Sequence, residues 1–265
     1  MTQMIGAHAP APARPRLNLR LLVKRLMWPG TNWVSRDKAK LVHALQRGTP
    51  ERPIRTLDCG CGNAYFTYEA ARRGSTCLGI TIHDWERRSC EEMRDYLGVG
   101  PDRMDFRTAR LEDLARDPAR RGTFDQVLFL DVVEHIRDAR AALGQIRELL
   151  NEDGLVYIST PDRDYQGNFP TSGLRITRVE DGWHVRNGLT FEGLEKLLEE
   201  SGFEPVDRLR FGTKGSTAVT WIQHNLFGRH VDTLTVALFP MLKGLAMLLS
   251  PWRDNHTVFV LARKV

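Results

Sequence analysis

The chain has 265 residues, room for one sizeable domain with an elaborated cap, and its 42% hydrophobic and 27% charged residues are those of an ordinary globular protein, not a disordered or fibrous one. The formal charge of +5 is unevenly spread: residues 14–55 carry eleven Lys/Arg against two Asp/Glu, +9, which leaves −4 for the rest. A basic front end on an acidic body suits an anionic substrate, a membrane surface or nucleic acid, and equally a solvated helix face. The four cysteines (Cys59, Cys61, Cys77, Cys90) all lie before residue 91, and residues 1–15 lack the apolar core of a secretory signal, so a reducing, cytoplasmic setting is expected.

Residues 1–15, rich in Ala and Pro, read as a disordered leader, and residues 16–50 as an N-terminal helical cap. In that cap Leu19, Leu22, Val23, Leu26 and Met27 fall at helical spacing, with Arg16, Arg20 and Lys24 opposite. After the Trp-Pro-Gly break a second helix is expected near 35–46, with Ser35 as N-cap. From residue 51 onward short strands alternate with helices. Strands are expected at 54–60, 75–82, 104–110, 124–131 and 155–160, with helices between them, that of 84–98 capped by Asp84. Such a succession predicts an α/β fold: a Rossmann-like, seven-stranded, mostly parallel sheet with helices on both faces. Residues 161–189 are irregular. A helix opened by Thr190 follows, then a sixth strand and, at the C-terminus, a seventh. Between these last two strands, 213–255 is an apolar insertion, interrupted by Asp232, Pro240 and Lys243 and so not a membrane span.

The stretch "LDCGCGNAY", residues 57–65, sits where the first strand turns into its helix. Cys59 and Cys61 are too tightly spaced for a zinc clip, and no matching Cys/His pair follows them. Asp58, Gly60 and Gly62 are more telling, because glycines at this turn let the backbone close around a small ligand at a helix N-terminus. A dinucleotide loop would want a third glycine where Tyr65 stands and an acid where Thr81 ends the second strand. No Gly-Lys-Ser/Thr is present for a phosphate loop.

"LDCGCGNAY" resembles the first motif of class I S-adenosylmethionine-dependent methyltransferases, and 123–162, with "DVVEHI" and "LLNEDG" inside it, resembles their fourth and fifth. The match runs over about 54–212 and is nearest to the branch of ubiquinone-pathway and natural-product O-methyltransferases. The resemblance implies S-adenosylmethionine as cofactor and S-adenosylhomocysteine as product. Asp58, Gly60 and Gly62 would surround the methionine part, and Thr81 and Ile82 the ribose and adenine. Leu111 and Glu112 would border the adenine; Leu130 and Asp131 would line the cleft. The family's usual acid at the end of the second strand is Thr81 here, as in cyclopropane-fatty-acid synthases, which implies that Glu86 helps to hold the cofactor.

Methyl transfer to a hydroxyl needs a base. His135 is the leading candidate, with His184 and Asp131 beside it; Asp131 and Glu134 could orient a histidine or bind a cation, but without a clustered carboxylate set no metal site is expected. The acceptor is expected to be a small hydrophobic or natural-product molecule, with Asp162, Tyr165, Trp183 and Arg186 near it. The rivals are carbon-directed transfer to a lipid-like substrate and a non-catalytic cofactor-binding module. No Asn/Asp-Pro-Pro-Tyr/Phe follows the fourth strand, so nucleic acid is not an expected partner. Segments 16–28 and 234–250 are pocket lids or a peripheral membrane contact; oligomeric state is left open.

Overall fold

The computed structural model describes residues 18–167, 176–177, 179–180 and 182–265. The expected leader lies outside them. Helices α1 (Leu19–Met27) and α2 (Val34–Leu45) precede β1 (Arg55–Cys59), α3 (Tyr65–Arg72), β2 (Thr76–Thr81), α4 (Asp84–Tyr96) and β3 (Met104–Thr108). Then come α5 (Leu111–Ala115), β4 (Phe124–Leu130), α6 (Ala139–Leu149), β5 (Leu150–Pro161), α7 (Phe191–Glu200) and β6 (Phe203–Thr213). The insertion forms α8 (Lys214–Ile222), α9 (Val231–Ala237) and α10 (Phe239–Leu249), and β7 (Arg253–Lys264) closes the sheet.

The strand order is β3-β2-β1-β4-β5-β7-β6, with β7 antiparallel to both neighbours and the other pairs parallel. The expected seven-stranded, mostly parallel sheet is therefore present. The strand order reverses between β1 and β4, which opens a crevice at the carboxyl ends of those strands.

Alternation along the central strands divides the core in two. Val156 and Ile158 of β5, with Val258 and Val260 of β7, meet Leu143, Ile146, Leu194 and Leu198 of α6 and α7 on one face. Leu155, Tyr157, Phe259 and Leu261 meet Val34 and Val42 of α2 on the other. Helix α2 is thus a wall of the sheet, and the Tyr157 hydroxyl donates to the Leu45 carbonyl at its C-terminus (2.8 Å).

Two expected caps move. Helix α2 begins at Val34, and its N–H is accepted by the Asn32 side chain (3.0 Å), not by Ser35, which lies inside the helix. Asp84 is the first residue of α4; His83 precedes it as cap, and Asp84 bonds Arg87 and Arg88 instead. Thr190 does cap α7, accepting from Gly193 N (2.9 Å).

Candidate functional site

The turn after β1 is built by close approach. Gly60 N and Cys61 N both donate to the Ile80 carbonyl of β2 (2.9 and 3.0 Å), which folds the loop across the strand ends. Gly60 has φ +72°, and a Cβ there would lie 2.8 Å from Val132 Cγ2, so only glycine fits. Cys59 and Cys61 point into different apolar clusters, and all four cysteines are free and buried. No thiol clip exists here.

A cavity of about 500 Å³ opens between this loop, the ends of β2 and β4, and the N-terminal parts of α4, α5 and α6. That size is ordinary for a small-ligand site. Of the residues singled out in the sequence, Gly60, Gly62, Thr81, Ile82, Glu86, Leu111, Glu112, Asp131 and His135 line it; Asp58, Leu130 and His184 do not. The Asp58 carboxylate instead lies beneath the loop, accepting from Thr67 Oγ1 on α3 (2.6 Å). Burial pushes its pKa up to about 6, against the pull of that hydrogen bond.

At the β2 wall, the Thr81 hydroxyl donates to the Glu86 carboxylate and accepts from His83 N (3.2 Å). The acid that the end of β2 lacks is therefore supplied from the first turn of α4, in the cavity wall.

The opposite wall is electrostatically divided. Asp131, just past β4, adopts a left-handed backbone (φ +55°), unusual for a residue with a side chain. Lys38 of α2, only 2% exposed, pairs with its carboxylate, and Ser159 Oγ donates to the other oxygen (2.8 Å). Burial raises the Asp131 pKa, but Lys38 and Ser159 outweigh it and hold the carboxyl below its ordinary value. Three residues on, Glu134 is 1% exposed, and neither carboxylate oxygen has a hydrogen-bond partner among the described residues. Burial first, and the Asp131 charge second, push it up to about 8, so it stays protonated at neutral pH.

His135 and His184 meet beside Glu134, rings edge to face with centroids 4.5 Å apart. Nδ1 of each is buried and has no partner among the described residues. Burial, then the neighbouring His135, lowers the His184 pKa and keeps that ring neutral. Glu134, His135 and His184 each bring a ligand-capable atom within 4.8 Å of the others, a group that could hold a metal ion although none was expected.

The segment carrying His184 is clamped over the cavity. Val185 N donates to Glu134 O (2.9 Å), and Arg186 donates to the Ile136 and Arg137 carbonyls (2.6 Å each). Glu180 accepts from Arg137 N (2.6 Å) and faces Arg110. Arg186 is thereby a strut and not a free acceptor contact. Asp162 is likewise spent on Arg210 (2.7 Å), and Tyr165 donates to Asp254 (2.7 Å), while Trp183 is exposed. Lys38 was not in the expected site set, and Glu134 entered it only as a group to orient a histidine or bind a cation. Lys38 carried no signal, looking like any basic residue of a helix; Glu134 stood in the "DVVEH" run, but its burial beside Asp131 is not legible from spacing.

The methyltransferase-domain family profile matches residues 32–208, two thirds of the chain. The chain belongs to this family. Its glycine cradle, Glu86 wall and cavity volume fit S-adenosylmethionine, the cofactor implied by the sequence resemblance. It is similar to the ubiquinone biosynthesis O-methyltransferase of Dinoroseobacter shibae, 31% identical over 172 residues, 62% of this chain and 65% of that protein. The mitochondrial ubiquinone biosynthesis O-methyltransferase of Bos taurus is 29% identical over 161 residues, 59% of this chain and 43% of that one. The chain thus spans less than two thirds of the length of either. Among solved structures, geranyl diphosphate C-methyltransferase from Streptomyces coelicolor A3(2), in complex with Mg2+, geranyl diphosphate and S-adenosyl-L-homocysteine, shares the fold: TM-score 0.58, 12% identity, 86% of this chain and 80% of that one.

Proposed function

We propose that the chain transfers a methyl group to a hydroxyl of a small hydrophobic or natural-product acceptor, with His135 as general base. The observation that carries this is the pair of orphaned imidazole nitrogens on His135 and His184, beside a neutral carboxyl and at the β4 end of the cavity. Gly60 and Gly62 would bring the backbone around the methionine part of the cofactor, with Asp58 fixing the loop from below through Thr67. Glu86, held by Thr81, would accept from the ribose hydroxyls, and Ile82, Leu111 and Glu112 would border the adenine. S-adenosylmethionine supplies an electrophilic methyl on a sulfonium. An in-line displacement then asks the chain to hold the acceptor oxygen behind that methyl and take its proton. His135 would take it, with His184 packed edge-on to fix the ring, while the Asp131 carboxylate would stabilise the imidazolium formed. The relatives named for ubiquinone biosynthesis O-methylation support oxygen as the atom methylated. Free, buried cysteines go with a cytoplasmic setting.

The test is calorimetric binding of S-adenosylhomocysteine followed by turnover with phenols and lipid-linked hydroxyls. Retained binding with turnover lost in His135→Ala is the expected result; full turnover in that variant rejects the base.

A second reading rests on the same cluster: a divalent cation on Glu134, His135 and His184 would bind the acceptor hydroxyl and lower its pKa. Activity removed by EDTA and restored by Mg2+ or Mn2+ selects it; indifference to chelation selects the imidazole base.

A further inference from the structure

Sixteen large apolar side chains are exposed among the described residues, and nine of them lie on α1 and on the α8–α10 insertion: Leu19, Leu26, Trp221, Leu226, Val236, Met241, Met247, Leu248 and Trp252. Residues 18–33 and 214–252 make up only about a fifth of the chain, so this is a concentration, not the ordinary scatter of surface apolar residues. The cause is visible in α10, whose sequence FPMLKGLAMLL holds Lys243 as its one charge. One face of the helix packs Phe239, Leu242, Leu245 and Ala246 against Met27, Trp33 and Val219. A helix lying on a soluble domain would turn polar residues outward. This one presents Met241, Met247 and Leu248, each more than 60% exposed.

We propose that α1 together with α8–α10 is a membrane-docking surface that lies in the headgroup region of an anionic bilayer. Charge decides between a bilayer and a second copy of the chain. The two segments present Lys24, Arg25, Lys214 and Lys243, with Arg20 paired to Glu92 of α4, against the single acid Asp232 within them. Basic residues around an apolar patch match acidic lipid headgroups, whereas two copies face to face would set like charges together. Helix length decides between lying on the bilayer and crossing it. No single described helix is long and apolar enough to span, and α9 and α10 are bent by 80° at their junction. The 11 residues of α10 reach about 16 Å, roughly half a hydrocarbon core. Trp221 and Trp252, both about half exposed, are the residue type that settles at the interface.

The docking surface is tied to the cofactor loop. Asn63, next to Gly62, donates to the Pro29 carbonyl at the end of α1 (2.7 Å), and Trp28 packs against Tyr65 and Tyr68 of α3 (5.6 and 5.3 Å between rings). A bilayer under α1 and α10 would thereby bear on the elements that brace the cofactor loop. Docking itself does not depend on which atom is methylated.

The experiment is co-sedimentation of the full chain with vesicles of phosphatidylcholine alone or with 30% phosphatidylglycerol, at low and high salt. The chain should pellet with anionic vesicles, and several-fold less at 0.5 M salt. The triple variant Met241→Ser, Met247→Ser, Leu248→Ser should bind at least about tenfold more weakly, with thermal stability and S-adenosylhomocysteine binding unchanged. Lys243→Glu should reduce binding to anionic vesicles without affecting the neutral ones. A wild-type chain that stays in the supernatant overturns the proposal. So does a triple variant that pellets as well as wild type, or a wild-type dimer in light scattering that the triple substitution dissociates.

Discussion

Replacing Lys38 by Met tests the electrostatic frame of the site. The substitution keeps the length and apolar stem of the side chain and removes the cation that faces Asp131. Breaking a fully buried pair costs about 3–5 kcal/mol because it strands the partner charge. Here Lys38 is 2% exposed but the Asp131 side chain is 26% exposed toward the cavity, so a cost below that range, about 2–3 kcal/mol at pH 7, is expected. For a chain of this size that is a fall of roughly 4–12 °C in Tm. The pH dependence carries a second signature. In the native protein Asp131 is held below its ordinary pKa, so the stability from this group is present above the unfolded value, near 4, and is lost as pH falls through the folded one. Without Lys38, burial dominates and the carboxyl rises. The penalty in Lys38→Met then shrinks on acidification instead of growing. Urea unfolding of the wild type, Lys38→Met, Asp131→Asn and the double variant at pH 5 and 8 measures both effects. Asn suits the left-handed backbone at 131, so that substitution removes the charge without new strain. A coupling of about 1.5 kcal/mol or more between the two changes is expected. Single-variant costs that simply add, or a Lys38→Met protein within 1 kcal/mol of wild type at pH 8, would refute the reasoning.

Glu134→Gln should be more stable than the wild type at pH 9 by roughly 2–4 kcal/mol, and by no more than about 1 kcal/mol at pH 5. The native carboxyl, pushed up to about 8, stays protonated while that of the unfolded chain ionises near 4, so the wild type loses stability progressively between those two values and no further above them; urea midpoints in EDTA at the two pH values read this out. Gly60→Ala should weaken S-adenosylhomocysteine binding more than tenfold and lower stability by about 2–4 kcal/mol, from the left-handed backbone and the Val132 clash together. Adding Val132→Ala should recover part of the stability loss, and no recovery would place the cost elsewhere. Glu86→Gln should weaken calorimetric binding of S-adenosylhomocysteine by about tenfold or more, the worth of a hydrogen bond to a charged group. An unchanged affinity removes Glu86 from the ribose site.

The sheet was legible because its central strands are buried on both faces and so stand out as short apolar runs, with helical periods between them. The glycine loop was legible because glycine is strongly favoured at Gly60, where a positive φ and the approach of Val132 both penalise a side chain. Lys38 shows what was not. Its partner lies 93 residues away, and only the packing of α2 across the strand ends brings the two together. The roof over the site was equally hidden, because Arg186 and Asp162 are acceptor contacts by residue type and struts by hydrogen bonding. The caps of α2 and α4 moved by one to three residues, since Ser35 and Asp84 carry the preferred chemistry but the chain enters the helical conformation before them.

Asp131 and Glu134 lie three residues apart at the end of one strand, yet their environments drive them to opposite protonation states. The cause is the placement of one cation. Lys38 reaches Asp131 and holds it ionised, and the resulting negative charge raises Glu134 beyond what burial alone would do. Two carboxyls in one wall thereby become an anion and a neutral acid, the separation from which acid and base roles are made. His135 lies beside Glu134 and within the field of Asp131. Changing Lys38 therefore does more than remove a structural contact: releasing Asp131 from its cation lets it take up a proton, relieves the repulsion on Glu134, and lowers the pH at which the second carboxyl ionises. The prediction that separates this coupling from simple loss of packing is directional. In Lys38→Met the ionisation of Glu134, followed by carboxyl chemical shift in selectively labelled protein, should move down from about 8 if Asp131 protonates first. An upward move refutes this coupling, because it means that Asp131 stays charged while the cation that partly offset its field is gone.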